Sequence, residues 1–364
     1  MSPNYGRRTN TINTFVYNFF GALTMNFSVR CISAVTCVSA LIGLSACGGG
    51  GGGEAAAVVP PPAIASNTQA AAILIVKLGL LTVENLTTTA VVEQAFFANF
   101  LKAYVNSSTG GSVIAGVPAS CVTGGSGKGT LNSTVTKAAS YPGLRAGDSV
   151  SLNFTNCALG ASTLSLNGTA VITVQAIDSA TAAYPLPDAF RLQYQVSTTN
   201  FEFITATQKT RSNGVQIVDY NAIAAGPSFA ELNITPGQTP YSAASFSSPT
   251  SASPVVIFSL KPAGGLYSKL SPGNAFVSGV SGDVDVTSVS GLVPLTLLTN
   301  TRLAGSIAAG RAIPIAGDLS TRENNLSLQT RTAVQGLNAT VQADLNRDGV
   351  FDTTNTVSVL SLTN

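Results

Sequence analysis

Hydrophobic positions change period along the chain, and each change marks a different kind of element. Between Asn67 and Tyr104 they recur at three- and four-residue steps, with Val92, Phe96, Phe97, Phe100, Leu101 and Tyr104 on one helical face. That face is expected to cover a sheet. Ala70 to Leu81 is nearly all apolar and broken by Lys77. It reads as a buried helix or a second membrane-seeking segment, and its shortness favours packing. After Cys121 the period becomes two. Val150-Ser151-Leu152-Asn153-Phe154 alternates strictly, as does Phe190 to Val196, so each has one core face and one wet face. Further runs are Leu164 to Ile177, Phe201 to Ile204, Val215 to Tyr220, Val255 to Leu260, Val284 to Val289, Leu292 to Leu298, Leu326 to Gln329, Leu337 to Ala343 and Val357 to Leu362. Turn signals separate them at Ala146-Gly147-Asp148, Asn167-Gly168, Asn213-Gly214 and Pro272-Gly273. The class is mainly β: an antiparallel sandwich, curved meander or partly open barrel, with an N-terminal helical segment packed on it.

Ahead of these elements stands a different pattern. Arg30 precedes a short apolar run that ends at Leu44-Ser45-Ala46-Cys47, followed by six glycines. This is the layout of a secretory signal, and about a dozen apolar residues are too few to cross a bilayer. Leu44-Ser45-Ala46-Cys47 resembles a bacterial lipobox, which implies lipidation of Cys47 and cleavage just before it. Arg7 and Arg8 lie in an odd leader whose continuation does not resemble a twin-arginine signal, and a start at Met25 gives a signal of ordinary size. From Gly48 to Ser66 the glycines, an Ala-rich patch and Pro60-Pro61-Pro62 form a tether with a reach of about 25 Å. Gly48 is not the Asp associated with inner-membrane retention, so the resemblance implies the outer membrane.

Composition then narrows the function. Three of the 18 Lys and Arg precede Cys47, leaving fifteen against 16 Asp and Glu. So neutral a body, with no charge run, offers nothing to nucleic acid. The chain has no His, which removes Ser-His-Asp and Cys-His catalysis and every imidazole metal site. It has no Trp and nine Tyr, a poor supply for sugar stacking. Cys31 and Cys37 fall in the removable segment and Cys47 takes the lipid, leaving Cys121 and Cys157 to pair in an oxidising compartment. By chain entropy such a bond contributes about 4 kcal/mol.

Three motifs carry candidate chemistry. In Asp344-Leu345-Asn346-Arg347-Asp348-Gly349-Val350-Phe351-Asp352 oxygen-bearing side chains stand first, third, fifth and ninth, with glycine sixth. That matches the front of an EF-hand or dockerin-type loop, so Asp344, Asn346, Asp348, Val350 through its carbonyl, and Asp352 are the candidate Ca²⁺ ligands. Asn355 replaces the bidentate Glu of the twelfth place, which predicts weak binding, or a β-hairpin turn in which Asp and Gly supply backbone geometry alone. Gly124 to Thr130 superficially suggests a phosphate loop but has Val122 and Gly129 where Gly and Ser/Thr are required. Asp283 and Asp285 share one face of a strand, either as an acid–base pair or as a solvent face whose neighbours Val284 and Val286 enter the core; the second fits the alternation better.

Together the lipobox and glycine tract, Cys121, Gly147 to Cys157, Leu166-Asn167-Gly168, Val280 to Val284 and the closing Asp344 to Asp352 element resemble a group of uncharacterised proteobacterial lipoproteins. The resemblance implies localisation and architecture, with no activity to transfer. The expected organisation is a signal peptide over 1–46, lipidated cysteine and tether over 47–66, a helical segment over 67–120, a first β region with the disulfide over 121–223, a linker or long loop over 224–253, and a second β region over 254–364. The expected role is a lipid-anchored, non-catalytic binding or scaffolding domain of the bacterial cell envelope, touching the membrane through its anchor. A half-barrel carrier of apolar ligands, with Leu192 and Tyr194 lining a cavity, is the alternative, and a carboxylate hydrolase a distant third.

Overall fold

The computed structural model describes residues 68–107, 119–120, 130–136, 144–158, 165–178, 189–204, 209–223, 230–271, 275–288, 291–308, 311–326 and 328–363. The signal, the lipobox with Cys47, the tether, Cys121 and the Gly124 loop lie outside these residues.

One helix, α1 (Gln69–Ser107), occupies the stretch read as helical from Asn67 to Tyr104. The Thr68 hydroxyl accepts the Ala71 N–H at 3.3 Å and caps its first turn. The threonine-rich middle, which breaks the apolar pattern, still fits a buried helix because its polar side chains turn back on the backbone. Thr82 donates to the Leu78 carbonyl at 2.7 Å, Asn85 to Leu81 at 2.9 Å and Thr87 to Val83 at 2.6 Å.

The β chain forms a single antiparallel sheet, curved into a partial ring. Its strands are β1 (Ala119–Ser120), β2 (Thr130–Thr136), β3 (Ser149–Ala158), β4 (Ser165–Ile177), β5 (Phe190–Ile204), β6 (Lys209–Ala222), β7 (Ala230–Pro236) and β8 (Tyr241–Ser245). They continue as β9 (Val256–Leu260), β10 (Gly265–Ser271), β11 (Ala275–Ser288), β12 (Gly291–Ala308), β13 (Arg311–Glu323), β14 (Leu328–Gln335), β15 (Asn338–Asp344) and β16 (Thr353–Ser358), before a short α2 (Val359–Thr363). The expected alternation holds: Val150, Leu152 and Phe154 on β3 and Phe190, Leu192, Tyr194 and Val196 on β5 all point inward. The final apolar run divides differently, since Val359 and Leu362 are buried from α2 rather than from a strand.

Two corrections follow for the sequence reading. Residues 224–253, read as a linker, contain β7 and β8, and these join the two β regions into one sheet. Long strands β6 and β11 are bridged twice, by β7–β10 at one end and by β8–β9 at the other. Asn213-Gly214 and Asn167-Gly168 are likewise not turns between strands. Asn167-Gly168 is a bulge inside β4, and the Asn167 Oδ1 accepts the Asn156 N–H from β3 at 2.7 Å. Gly214 sits where β6 changes neighbours from β8 to β7, and Gly282 marks the equivalent change on β11. Both have positive φ, 116° and 121°, and a Cβ at either would stand 2.2 Å from the Pro240 carbonyl oxygen or 2.6 Å from the Gly264 Cα. Only glycine lets the two spacers meet there.

The helix lies across the strands on the concave face. Gly79 touches Thr321 of β13, Glu84 reaches Ala312, Asn85 meets Ser245 of β8, and Phe97 stacks on Phe201 of β5. From Gly79 to Phe97 is about 27 Å of helix, and six strand spacings from β13 to β5 are about 29 Å.

Candidate functional site

Buried charge is the first place to look for chemistry in such a fold, and it concentrates under the middle of α1. Ala90, Glu93, Phe97 and Leu101 follow at three- and four-residue steps on the face pressed into the sheet, so Glu93 is carried inside with its apolar neighbours. Gln216 of β6 donates to Glu93 Oε1 at 3.1 Å, and Tyr241 of β8 donates to Oε2 at 3.3 Å. Gln94 donates to Gln216 Oε1 at 3.0 Å and accepts the Tyr194 hydroxyl of β5 on its own Oε1 at 2.9 Å. Four elements are thus tied through one closed set of side chains.

Burial disfavours the charged carboxylate and pushes Glu93 up to about 7, against hydrogen bonds from Ser212, Gln216 and Tyr241 that pull the other way. Burial also raises Tyr194 and Tyr241 well above the ordinary tyrosine range, with the Glu93 charge adding to both. A perturbed acid in a cleft is the usual mark of catalysis, but among the described residues no cleft opens onto Glu93. Glu93, Gln94 and Gln216 are all 0% exposed, so no substrate reaches the carboxyl. What the arrangement does is fix the register of α1 against β5, β6 and β8. The sequence carried a signal for it, a Glu-Gln pair on the helical face between Ala90 and Phe97, that the sequence reading passed over.

A second cluster sits beside this one. Glu202 receives Lys209 at 3.1 Å and Arg211 at 2.8 Å, and both cations lie over the Phe246 ring at 4.5 and 4.9 Å. Lys209 also donates to the Ser251 carbonyl at 3.4 Å. Two cations on one carboxylate are tolerable at this depth because the ring face and the carbonyl supply the remaining negative potential.

The carboxylates singled out by sequence are placed elsewhere. Asp283 and Asp285 lie on the outer face of β11 while Val284 and Val286 are buried, as the alternation predicted. Asp283 accepts the Thr296 hydroxyl at 2.6 Å and Asp285 pairs with Lys261 at 2.9 Å, so they form cross-strand ladders and no acid–base pair in a cleft.

The Asp344–Asp352 segment is the β15–β16 connection, closed by its own backbone donors. Asp344 Oδ1 accepts the N–H of Arg347 at 2.6 Å and of Asn346 at 3.3 Å, and Oδ2 accepts that of Gly349 at 2.9 Å. Asn346 accepts the Asp348 N–H at 2.9 Å, Asp348 accepts that of Val350 at 2.8 Å, and Asp352 accepts that of Leu345 at 2.7 Å. Arg347 donates to the Glu323 carbonyl. Among the described residues no group of three His, Cys, Asp or Glu side chains is gathered as a metal ion needs. Apart from that of Arg347, these hydrogen bonds are the ones the hairpin-turn reading requires, and the calcium reading at Asp344, Asn346, Asp348, Val350 and Asp352 stays an expectation.

Cys157 is buried on β3, while its expected partner Cys121 lies outside the described residues. Leu192 and Tyr194, the residues that would line a ligand cavity, are 1% and 0% exposed, with Gln94 of α1 seated on the Tyr194 hydroxyl. A small pocket between α1 and the ends of β11–β13, lined by Leu80, Val83, Glu84, Phe276, Leu303 and Pro314 among others, has an interior of ≈ 20 Å³, room for about one water. Comparison of the chain with protein-family models, with curated proteins and with solved structures returned no match, so its chemistry is read from its own residues alone.

Proposed function

We propose that the protein is a lipid-anchored lipoprotein of the bacterial cell envelope, held on the outer membrane through Cys47, whose β body binds or scaffolds another envelope component without catalysis. The observation that carries the non-catalytic, non-carrier part is the occupied concave face: α1 covers the strand residues that a ligand would touch, and the most perturbed acid is sealed beneath it. A carrier needs several hundred Å³ of apolar hollow, and a hydrolase needs two carboxylates across an open cleft. The anchor rests on the lipobox-like Leu44 to Cys47 and the tether that follows. The proposal includes a Cys121–Cys157 disulfide, with Cys157 already buried on β3.

The test is metabolic labelling with a palmitate analogue in a bacterial host. The wild-type chain incorporates label and fractionates with membranes, the Cys47→Ala form does neither, and a non-reduced digest yields one peptide joining Cys121 to Cys157. A wild-type chain that takes up no label overturns the anchor. Saturable uptake of a fluorescent fatty acid by the folded body would favour the carrier instead.

A further inference from the structure

The sheet ends on β16, and this edge lacks the features that keep edge strands from pairing. Thr353-Thr354-Asn355-Thr356-Val357-Ser358 carries no charge and no proline, and its register against β15 runs without a bulge from Ala343↔Thr353 to Asn338↔Ser358. Its threonines and valine favour an extended backbone. Among the described residues β15 is the only strand it pairs with. The Val359 N–H donates to the Leu337 carbonyl at 2.9 Å, one step beyond that register. Hydrogen-bonded pairs recur at every second residue of an antiparallel ladder, so Val357, Asn355 and Thr353 bond to β15, while Thr354, Thr356 and Ser358 turn their N–H and C=O groups away from it. The Ser358 carbonyl accepts the Ser361 hydroxyl at 2.7 Å and keeps a second lone pair. Side chains of the three outward-bonding residues are exposed. Thr353, Asn355 and Val357 stand opposite the buried Ala343, Val341 and Ala339 but are themselves only half-buried, so the inner layer stops uncovered at this edge.

We propose that β16 pairs antiparallel with β16 of a second copy of this chain, about a two-fold axis at Thr356. The proposal goes beyond the lipoprotein reading and does not depend on it. In this register Thr356 faces its own copy and Thr354 faces Ser358, so the outward backbone groups close about six hydrogen bonds. The chemistry of the edge selects a second copy as the occupant. Hydroxyl side chains meet hydroxyl side chains on the outer face, a favourable cross-strand pairing, and no charge is set against a like charge. Asn355 and Val357 come opposite one another on the inner side and continue the inner layer across the axis. Two exposed apolar residues flank the strand, Val350 in the turn before it, 65% exposed, and Leu360 in α2 after it, 44% exposed. Because the paired strands run oppositely, the turn end of one copy lies beside the α2 end of the other, which brings Val350 toward Leu360 and shields both from water.

The test is the mass of the full chain in solution, with Cys47→Ala present throughout so that no acyl chain contributes to association. At about 0.1 mM, a concentration suited to so small an interface, sedimentation equilibrium is expected to give twice the chain mass. Thr356→Lys sets two ammonium groups across the axis and should weaken the dimer about tenfold or more, as Thr356→Glu should with two carboxylates. An equimolar mixture of these two variants should recover the dimer, with circular dichroism unchanged in each, a rescue that a general loss of fold does not permit. Thr356→Pro removes the outward N–H and no bond to β15, and should also give a monomer. A parent chain that stays monomeric at that concentration overturns the pairing and leaves the edge to a strand of another protein. A dimer that survives both Thr356→Lys and Thr356→Pro, or one that the mixture fails to restore, overturns it as well.

Discussion

Two stretches of α1 are differently housed. Residues 93–98 are buried in unbroken succession, while over residues 73–81 one arc is buried and the other partly so. At the C-terminal end Phe96 and Phe97 meet Phe154, Phe201 and Phe203 with ring centroids 5.0–6.1 Å apart. At the N-terminal end the helix passes over β13 at Thr321. The difference teaches that hydrophobicity along a helix does not report how much of it is enclosed.

The largest test of the contrast is truncation at the enclosed end. Phe97→Ala is expected to cost about 3–5 kcal/mol in denaturant unfolding, because rings packed on β3 and β5 do not collapse into the space left. Next comes pH. Glu93 rises from 4.5 in the unfolded chain to about 7 when folded, so its contribution is fully present below about pH 4.5 and is lost as pH climbs through 7. From pH 4.5 to 8 the wild type should lose about 2–3 kcal/mol that Glu93→Gln does not, read as converging melting temperatures. At the boundary between the two regimes stands Gly79, whose added Cβ would lie 2.5 Å from the Thr321 hydroxyl. Gly79→Ala should destabilise by about 1–2 kcal/mol despite its better helix propensity, since Thr321 is buried and stiff. Smallest is Leu74→Gln on the open arc, expected within about 0.5 kcal/mol of wild type in solution. A loss there as large as at Phe97 would mean that the open arc is covered after all.

Much of this was legible beforehand, and the failures have identifiable causes. The period-two pattern located β3 and β5 and assigned Asp283 and Asp285 to the wet face, because burial on one side of a sheet imposes alternation directly. Asn167-Gly168 and Asn213-Gly214 were misread as turns because a bulge and a turn demand the same left-handed backbone, and local sequence does not distinguish them. The 224–253 stretch read as a linker because β7 and β8 are short and rich in small residues, and they become strands by pairing with partners far along the chain. Glu93 was overlooked because a lone acid on an apolar helix looks like a solvent-facing interruption until Gln216 and Tyr241 are brought to it.

What the amino-acid order determined alone was the class, a helix followed by alternating strands, together with the facing of each strand, since those depend on neighbours two to four residues away. Tertiary structure alone decided that the sixteen described strands make one sheet, that α1 lies across it from β13 to β5, and that Glu93 is sealed while Leu74 is partly exposed. Those outcomes depend on contacts between residues more than a hundred positions apart, such as Glu93 with Gln216, whose meeting is set by how the whole sheet curves.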